Sequence, residues 1–389
     1  MRRRDRPRIL LDGRLLGNRD GGISRYTDEL ARALPAVAPD LDVRLLVRRG
    51  RAAFSGDSTV APARTLTPPH HRLERWAFGL EASLRKPALL HSPDFIPPIV
   101  PLAATVVTIH DLAFLDPEGE AAVTPRSLRY YGQVIHLAAR ADAVIAVSEY
   151  VRQSIIERLR VPESRVRTIY NGVTGFAPPA LESHGQPTAR GEGQDELPRE
   201  VRLAIERDRP IVLMVGTIEP RKRHGLLLDA FELSLPRRSG PRPYLVVVGA
   251  EGWNCRSTAA RLKVLSASGD GSWFPGAADH LLGQLLRRAT LLAMPSRDEG
   301  FGLPMLEAMA AGVPVIAAAR GALPEIAGGA AVLVGSDDAE EWSQAIEALI
   351  GDESRRAELM RAGLLRASAF SWDRTAHETA QLYREVLGR

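Results

Sequence analysis

The sequence is poor in several features that would narrow its class at once. Its 389 residues include a single cysteine, Cys255, so no disulfide can form within the chain. Aromatic residues make up only 5%, too few for an obvious base-stacking platform, and no nucleic-acid module is recognisable. The first apolar run, Ile9–Leu11, is too short for a signal peptide, and the longest, Ile96–Ile109, is short and carries three prolines. These absences predict a cytoplasmic protein that binds no nucleic acid and has no transmembrane helix.

Lysine is also scarce. The net charge is +4 and the isoelectric point about 9.4, yet only three of the 51 basic residues are lysines, Lys222 among them. Codon bias is one explanation of the arginine excess, and a basic surface facing anionic lipid is the other. Because arginines recur at Arg2–Arg4, Arg72–Arg85 and Arg126–Arg140, we predict salt-sensitive peripheral association with the inner face of the membrane.

Short apolar segments alternate with amphipathic segments twice along the chain, over residues 1–173 and again over residues 209–371. Such alternation is typical of parallel sheets covered by helices. Residues 174–208 between the two runs are rich in proline, glycine, glutamate and arginine, which predicts a linker, and residues 180–196 are expected to be mobile. The pattern predicts an α/β protein with two doubly wound parallel-sheet domains facing a cleft.

Periodicity also predicts the individual elements. Helices are expected over Ile23–Leu34, Pro125–Ala139 and Pro304–Ala311, and the proline-dotted segment Gly50–His71 is predicted to be an irregular loop. Apolar runs predict strands over Ile9–Leu11, Val43–Val47, Ala104–Ile109, Ala143–Val147, Val166–Ile169, Ile211–Val215, Tyr244–Val248, Leu291–Met294 and Ala331–Val334.

The segment Met294–Glu325, MPSRDEGFGLPMLEAMAAGVPVIAAARGALPE, places a glycine-containing turn between a predicted strand and a short predicted helix. Pro304 suits the first position of that helix, where a missing N–H costs nothing, and Gly312 suits the position just after its end. The start of such a helix offers free N–H groups to a phosphate, and Gly300 and Gly302 let a ligand approach the backbone. An ordinary strand–helix connection of an α/β domain would have the same turn.

Two carboxylates frame this turn, Glu299 within it and Glu307 in the helix. Carboxylates repel phosphate but accept hydrogen bonds from the hydroxyls of sugars and riboses. His110, at the end of a predicted strand, and Gly21-Gly22, where the first strand meets the first helix, also lie where open α/β sheets bind ligands. A histidine at such a position can instead be purely structural.

The Glu299-x7-Glu307 pattern around GFGLP resembles the donor-sugar signature of the retaining glycosyltransferases with the GT-B fold, glycosyltransferase family four of group one. GGISRYTDEL and TIHDLAF resemble the glycine loop and the active-site histidine motif of the same family. The resemblance implies that Glu299 contacts the transferred sugar, that Glu307 holds the ribose, and that His110 touches the sugar near the reacting centre.

The same resemblance implies a site for the diphosphate of a nucleotide-sugar donor. Its members would be Gly21, Gly22, Arg221, Lys222, Gly300, Phe301, Gly302 and Leu303. No Asp-x-Asp lies near the predicted strand ends, so Arg221 and Lys222 are expected to replace a metal ion, and no cofactor is expected. In this family a terminal helix, here 372–389, crosses back to the N-terminal domain.

The string GTIEPRKRH resembles GTxEPRKN of a subgroup that consists largely of mannosyltransferases, although Arg223 replaces its asparagine. The segment Leu265–Trp273 is unlike the usual family strand and leaves the base contacts unassigned. We therefore predict a retaining, metal-independent hexosyltransferase that moves mannose from GDP-mannose to a glycan or lipid-linked saccharide. The alternatives are a hexosyl or N-acetylhexosaminyl transferase using a UDP-sugar, a nucleotide-sugar epimerase with this architecture, and a non-catalytic anion- or membrane-binding protein.

Overall fold

The structure is a computed structural model. It describes residues 6–16, 21–49, 60–69, 74–98, 103–115, 132, 134–174, 197–234 and 241–388. Contacts between Cα atoms divide the chain into two units. Unit 1 takes the described residues up to Gly172 together with those from Phe370 onward, and unit 2 takes those from Val173 to Ala369.

Unit 1 is built on a parallel sheet. Its strands are β1 (Arg8–Asp12), β2 (Asp42–Arg48), β3 (Ala61–Thr65), β4 (Leu89–Ser92), β5 (Ala104–Ile109), β6 (Ala143–Ala146) and β7 (Val166–Thr168). Their order across the sheet is β3-β2-β1-β4-β5-β6-β7, so Leu10 of β1 lies between Arg44 of β2 and Leu90 of β4. The inner strands are buried on both faces, which explains why apolar and β-branched residues dominate β5 and β6.

Unit 2 repeats this plan with a second parallel sheet. Its strands are β8 (Ile211–Val215), β9 (Tyr244–Val248), β10 (Gly271–Phe274), β11 (Leu291–Met294), β12 (Val315–Ala318) and β13 (Val332–Val334). Their order is β10-β9-β8-β11-β12-β13. The two sheets confirm the predicted α/β class with two doubly wound parallel-sheet domains.

The helices follow the strands in alternation. In chain order they are α1 (Gly22–Val37), α2 (Glu74–Ser83), α3 (Glu149–Leu159), α4 (Arg199–Glu206), α5 (His224–Ser234), α6 (Arg256–Ser268), α7 (Asp279–Arg288), α8 (Leu303–Ala310), α9 (Leu323–Ala327), α10 (Ala339–Gly351), α11 (Glu353–Ala367) and α12 (Trp372–Leu387). Residues 134–138 are helical as well, while 125–131 and 133 of the predicted helix Pro125–Ala139 lie outside the described residues. Within the part of the chain that the structure describes, no helix is long and apolar enough to cross a membrane.

Helix α12 returns the chain to unit 1, where it packs against α1 and β5. Ser371 caps it by accepting a hydrogen bond from the backbone N–H of Arg374 at 3.2 Å. A Cβ on Gly172 would lie only 2.2 Å from the backbone nitrogen of Trp372, so glycine is needed where these two segments meet.

The predicted irregular loop Gly50–His71 is wrong in part, because residues 61–65 form β3. The sequence APART has no apolar run, but β3 pairs only with β2 at the edge of the sheet, where the missing N–H of Pro62 is tolerated. The predicted linker 174–208 likewise contains α4, which buries Val201 and Ala204. The segment 180–196, expected to be mobile, lies outside the described residues.

Each sheet has one place where the strand order reverses, between β1 and β4 in unit 1 and between β8 and β11 in unit 2. Open α/β sheets bind ligands outside the carboxyl ends of the strands at such points. In unit 2 the loops after β8 and β11 carry the two motifs GTIEPRKRH and SRDEGFGLP. The topology therefore brings together two segments that are about 77 residues apart in sequence.

Candidate functional site

The glycine turn of unit 2 ends at Gly302, which immediately precedes α8 and has φ +92°. A side chain there would be strained, and its Cβ would also lie 2.7 Å from Cδ2 of Leu323. Helix α8 begins at Leu303, one residue before the predicted start, so Pro304 is its second residue, and the N-cap Gly302 offers no side-chain cap. Gly300 and Phe301 are buried within the turn, and Leu303, the first residue of α8, is partly exposed.

The backbone of Glu299 is held by the loop that follows β12. Its carbonyl accepts a hydrogen bond from the N–H of Ala322 at 2.8 Å. Gly321, with φ +59°, permits this contact, because a Cβ there would lie 2.7 Å from the Glu299 carbonyl oxygen. Sequence reasoning missed Gly321, although a glycine between β12 and α9 was the available signal.

The side chain of Glu299 is the centre of a buried ion cluster. It is only 6% exposed, its Oε1 accepts a hydrogen bond from Nζ of Lys222, and its Oε2 lies 3.5 Å from Nη1 of Arg221. Burial alone would raise the pKa of this carboxyl group. The charges of Lys222 and Arg221 outweigh burial and hold the pKa of Glu299 below its ordinary value, so the group is ionised at neutral pH.

Arg221 ties the two loops together. Its Nη1 donates to the carbonyl of Asp298 at 2.9 Å, and its Nη2 donates to Oε1 of Glu219 at 2.9 Å. Its own carbonyl accepts from the N–H of Arg297 at 2.8 Å. The predicted pair Arg221 and Lys222 therefore lies beside the predicted Glu299, and Arg221 is held on both sides.

Glu307 lies in α8 and is 4% exposed. It is therefore as deeply buried as Glu299, and an apolar side chain would be expected there if the position served packing alone. The structure thus places six of the predicted site residues with Arg221 and Lys222 in one loop–helix system of unit 2. That group is Arg221, Lys222, Glu299, Gly300, Phe301, Gly302, Leu303 and Glu307 together.

The remaining predicted residues belong to unit 1. Gly21 is the exposed residue before α1, in an extended conformation, and Gly22 is the exposed first residue of α1. No side chain caps this helix start, and a Cβ on Gly21 would meet nothing within 4 Å. The start of α1 therefore has room at Gly21 and no side-chain cap from that residue.

His110 follows β5 and is partly buried. Its Nε2 lies 3.0 Å from the carbonyl oxygen of Pro93. Because a carbonyl only accepts, Nε2 carries the hydrogen and Nδ1 is left as an acceptor. Burial lowers the pKa of His110 to about 4, against the opposing effects of the Pro93 carbonyl and the Asp111 charge, so the imidazole is neutral at pH 7. The ring packs edge-on against Tyr26, with 4.9 Å between centroids.

A second polar cluster lies at the reversal point of the unit 1 sheet. Arg14, 2% exposed, donates to Asp12 at 2.7 and 2.8 Å and to Oε1 of Glu74 at 2.8 Å. These residues line a small cavity with Ser92. Sequence reasoning missed the cluster, because nothing in the sequence marks Glu74 as the partner of an arginine 60 residues earlier.

Within the described ranges, no three His, Cys, Asp or Glu side chains come together as a group that could hold a metal ion.

Comparisons with known families match both halves of the chain. Residues 20–174 match the model of Glycosyltransferase Family 4, and residues 199–365 match the model of Glycosyl transferases group 1. The two matched segments include every predicted site residue. They also coincide with the two sheets, β2–β7 lying in the first segment and β8–β13 in the second.

Two relatives have assigned activities. The O-antigen chain mannosyltransferase B of Escherichia coli is 29% identical over 81% of this chain and 78% of its own. The D-inositol 3-phosphate glycosyltransferase of Gordonia bronchialis is 34% identical over 72% of this chain and 61% of its own. The two relatives differ in what their names say they act on.

Two solved structures share the fold. The sucrose-phosphate synthase of Thermosynechococcus elongatus has a TM-score of 0.75 at 22% identity, with 98% of this chain and 100% of that chain covered. Anabaena HepE in complex with UDP and glucose has a TM-score of 0.71 at 18% identity, with 97% and 99% covered. At these identities the likeness concerns the fold alone.

Proposed function

The chain belongs to the group 1, family 4 glycosyltransferases and has their GT-B fold. We therefore propose that it transfers the hexose of a nucleoside diphosphate sugar to an acceptor, with retention of the anomeric configuration. One observation carries this proposal. Lys222 and Arg221 lie beside the ionised Glu299 next to the uncapped start of α8. A cation pair beside the positive end of a helix suits a diphosphate, and a buried carboxylate suits the hydroxyls of the attached sugar.

Each residue then has a distinct role. Lys222, Arg221 and the backbone of Gly302–Leu303 neutralise the diphosphate as its charge grows during departure. Glu299 accepts hydrogen bonds from the sugar, and Glu307 accepts them from the ribose. The start of α1 at Gly21-Gly22 is a further contact for the phosphates, supported by the exposure of both glycines and the lack of a side-chain cap at Gly21.

His110 is proposed as a contact of the donor sugar near the reacting carbon. Its neutral imidazole, with Nδ1 as the acceptor, suits a sugar hydroxyl and adds no positive charge beside the forming oxocarbenium ion. In the step itself the acceptor oxygen bonds to the anomeric carbon while the bond from that carbon to the diphosphate oxygen breaks. The leaving diphosphate keeps the electron pair and takes the acceptor proton.

We propose mannose from GDP-mannose as the donor and a glycan or lipid-linked saccharide as the acceptor. The string GTIEPRKRH and the likeness to the E. coli mannosyltransferase support this choice. The likeness to the Gordonia enzyme favours a second candidate, a transferase whose acceptor is a phosphorylated polyol such as inositol 3-phosphate. A UDP-sugar donor goes with that candidate, as it does with the UDP complex of HepE.

A two-stage assay tests the donor. GDP-mannose, UDP-glucose and UDP-N-acetylglucosamine are first compared by thermal shift, since a ligand at about 100 times its Kd adds about 2.7 kcal/mol to the free energy of unfolding. Stabilising donors are then incubated alone and with polyprenyl-linked saccharide or inositol 3-phosphate. Transfer from GDP-mannose to the saccharide supports the proposal, and conversion of a donor to its epimer without acceptor contradicts it. Two variants distinguish a role of this site from a general loss of positive charge. Lys222→Ala removes the lysine of the site, and the matched variant Lys263→Ala removes an exposed lysine of α6.

The stereochemical proposal has its own measurement. We expect the product to keep the anomeric configuration of the donor, and the one-bond C–H coupling constant at the anomeric carbon reports this directly. A product of the opposite configuration would contradict both the front-face route and the role given to the leaving phosphate.

We also propose peripheral binding to anionic membranes through the arginine-rich N-terminal half. The described part of this surface includes Arg75 and Arg85 of the region around α2 and Arg140. Sedimentation with vesicles of phosphatidylglycerol and of phosphatidylcholine at low and high salt tests it. Binding that is equal on both lipids at low salt would contradict the proposal.

A further inference from the structure

A continuous line of buried hydroxyl and imidazole groups crosses the core of unit 1. Tyr383 of α12 lies with its hydroxyl 2.6 Å from Nδ1 of His91, and Nε2 of His91 lies 2.8 Å from Oγ1 of Thr108. Oγ1 of Thr108 lies 3.0 Å from the hydroxyl of Tyr26, which also bonds to Thr379 of α12. The five side chains are 0% exposed, so this line has no contact with solvent.

The direction of these hydrogen bonds follows from one end of the line. Thr379 donates its proton to the carbonyl of Thr375 at 2.7 Å, so towards Tyr26 it can only accept. Tyr26 therefore donates to Thr379 and accepts from Thr108. Thr108 in turn must accept from Nε2 of His91.

These directions also fix the ring proton of His91 and the direction of its hydrogen bond with Tyr383, at the other end of the line. His91 carries its hydrogen on Nε2, and its Nδ1 accepts from the hydroxyl of Tyr383. Burial lowers the pKa of His91 to about 3, which agrees with the single proton that this arrangement gives it at neutral pH. Every proton in the line is used once, so removal of any one hydroxyl leaves a buried partner unsatisfied.

The line reaches His110 through Tyr26. Tyr26, whose hydroxyl is fixed by Thr108 and Thr379, presents its ring to the imidazole of His110 at 4.9 Å and 80° between planes. The other tie of His110 is the carbonyl of Pro93, two residues after His91. His110 itself is two residues after Thr108. Pro93 follows β4 and His110 follows β5, and the contact between His91 and Thr108 joins these two strands, whereas Tyr26 lies in α1.

We propose that Tyr383 and Thr379 are positioning residues that orient His110 through Tyr26, so that α12 is part of the apparatus for sugar transfer. This inference rests on the proposed role of His110 in the transfer reaction. It assigns to α12 a function that packing alone would not require, because apolar side chains would fill the same space without directional bonds. Six residues carry it: Tyr26, His91, Thr108, His110, Thr379 and Tyr383.

The test uses variants of the full chain that change hydroxyl groups and little else. Tyr383→Phe and Thr379→Val remove a hydroxyl with nearly the same volume, and Thr379→Ser keeps the hydroxyl. Tyr244→Phe is the matched control, since its buried hydroxyl bonds to Oγ of Ser272 at 2.6 Å on the unit 2 sheet and has no part in this line. With 13C-labelled histidine, the ring resonance of His110 is assigned by its absence in His110→Asn.

We expect the His110 ring resonance to shift in Tyr383→Phe and Thr379→Val and to stay in place in Thr379→Ser and Tyr244→Phe. In the transfer assay the same two variants should lose about tenfold or more in kcat, with KM for the donor changed by less than about twofold, because orientation is lost and binding is kept. Thr379→Ser should restore kcat.

An unmoved His110 resonance in both Tyr383→Phe and Thr379→Val would overturn the inference, and so would an equal loss of kcat in Tyr244→Phe. If Tyr383→Phe does not fold, the Thr379→Val and Thr379→Ser pair decides the question. If the resonance moves as expected but no nucleotide sugar is turned over by the parent protein, the positioning line stands and the proposed function fails.

Discussion

Glu299→Gln separates nucleotide binding from sugar transfer. In the free protein the carboxylate of Glu299 neutralises Lys222 and approaches Arg221. The substitution keeps the shape of the side chain but removes its negative charge, so Lys222 and Arg221 remain largely buried with one carboxylate fewer beside them. Breaking a buried ion pair by removing one partner costs about 3–5 kcal/mol. The side chain of Lys222 is 12% exposed. We therefore expect Glu299→Gln to lower the free energy of unfolding by an amount near the lower end of that range.

A diphosphate would supply the missing negative charge. The wild-type carboxylate also repels the diphosphate, and two unit charges about 8 Å apart at an effective dielectric constant of about 20 interact by about 2 kcal/mol. The free nucleoside diphosphate should therefore bind Glu299→Gln about tenfold more tightly than the wild type, a gain of about 1.4 kcal/mol. Turnover should fall by about a hundredfold or more, because the bond that orients the reacting sugar is weakened.

Titration calorimetry with GDP and with UDP measures the affinity, and initial rates with the complete donor measure turnover. Glu219→Gln is the control, since Glu219 lies in the same loop and pairs with Arg221, but leaves the contact between Lys222 and Glu299 in place. Weaker nucleotide binding by Glu299→Gln, or normal turnover, would refute the role assigned to this carboxylate. Equal effects in both variants would mean that the loss is one of loop charge alone.

Three further outcomes follow from the structure. Glu307→Gln should lower the affinity for the free nucleoside diphosphate by about ten- to a hundredfold, through weaker bonds to the ribose, and calorimetry would show it; unchanged affinity would contradict that role. Gly302→Ala should lower the free energy of unfolding by about 1–3 kcal/mol, because Gly302 has φ +92° and its new Cβ would be crowded. Urea unfolding measures this loss, and Gly276→Ala is the control, since a Cβ there meets nothing within 4 Å. Activity should survive EDTA, and loss of turnover that magnesium or manganese restores would contradict the metal-independent mechanism.

Stability should also depend on pH in a defined direction. The folded chain lowers the pKa of His91 to about 3 and of His110 and His224 to about 4, from an ordinary value of 6.5. Burial is the main cause in each, with the charge of Lys222 contributing at His224. The unfolded chain therefore binds more protons below pH 6.5, and the free energy of unfolding should fall as pH drops from 6.5 towards 4. Each histidine contributes on the order of 2 kcal/mol between pH 7 and 5; urea midpoints that stay level over this range would contradict the burial argument.

The parts of the fold that the sequence predicts are those with local signals. Buried strands such as Ala104–Ile109, Ile211–Val215 and Tyr244–Val248 are dominated by apolar and β-branched residues, and the structure gives them the predicted bounds. The glycine turn before α8 was equally local, since its proline and glycines lie within a few residues of each other. The edge strand β3 was missed because a half-exposed strand with a proline carries no such pattern.

The pairings within the candidate site could not be predicted from the sequence, because they join distant positions. Lys222 contacts Glu299 across 77 residues, Arg14 contacts Glu74 across 60, and His91 contacts Tyr383 across 292. A motif indicates which residue types a ligand needs. The ion pair between Lys222 and Glu299, with which a ligand must compete, depends on the strand order of the unit 2 sheet. The hydroxyl line that reaches His110 through Tyr26 depends on the strand order of the unit 1 sheet.

The path of the chain through unit 1 has a consequence for the order in which the protein can fold. The chain leaves unit 1 at Gly172 and re-enters it at Phe370, where Gly172 meets the backbone of Trp372. During synthesis the ribosome therefore delivers the whole of unit 2 before α12. Unit 2, whose described residues lie between Val173 and Ala369, can complete its core while still tethered, whereas the surfaces of α1 and β5 that α12 covers stay open to water and to chaperones until then. The hydroxyl line that we propose to support His110 thus assembles only after unit 2 has been made.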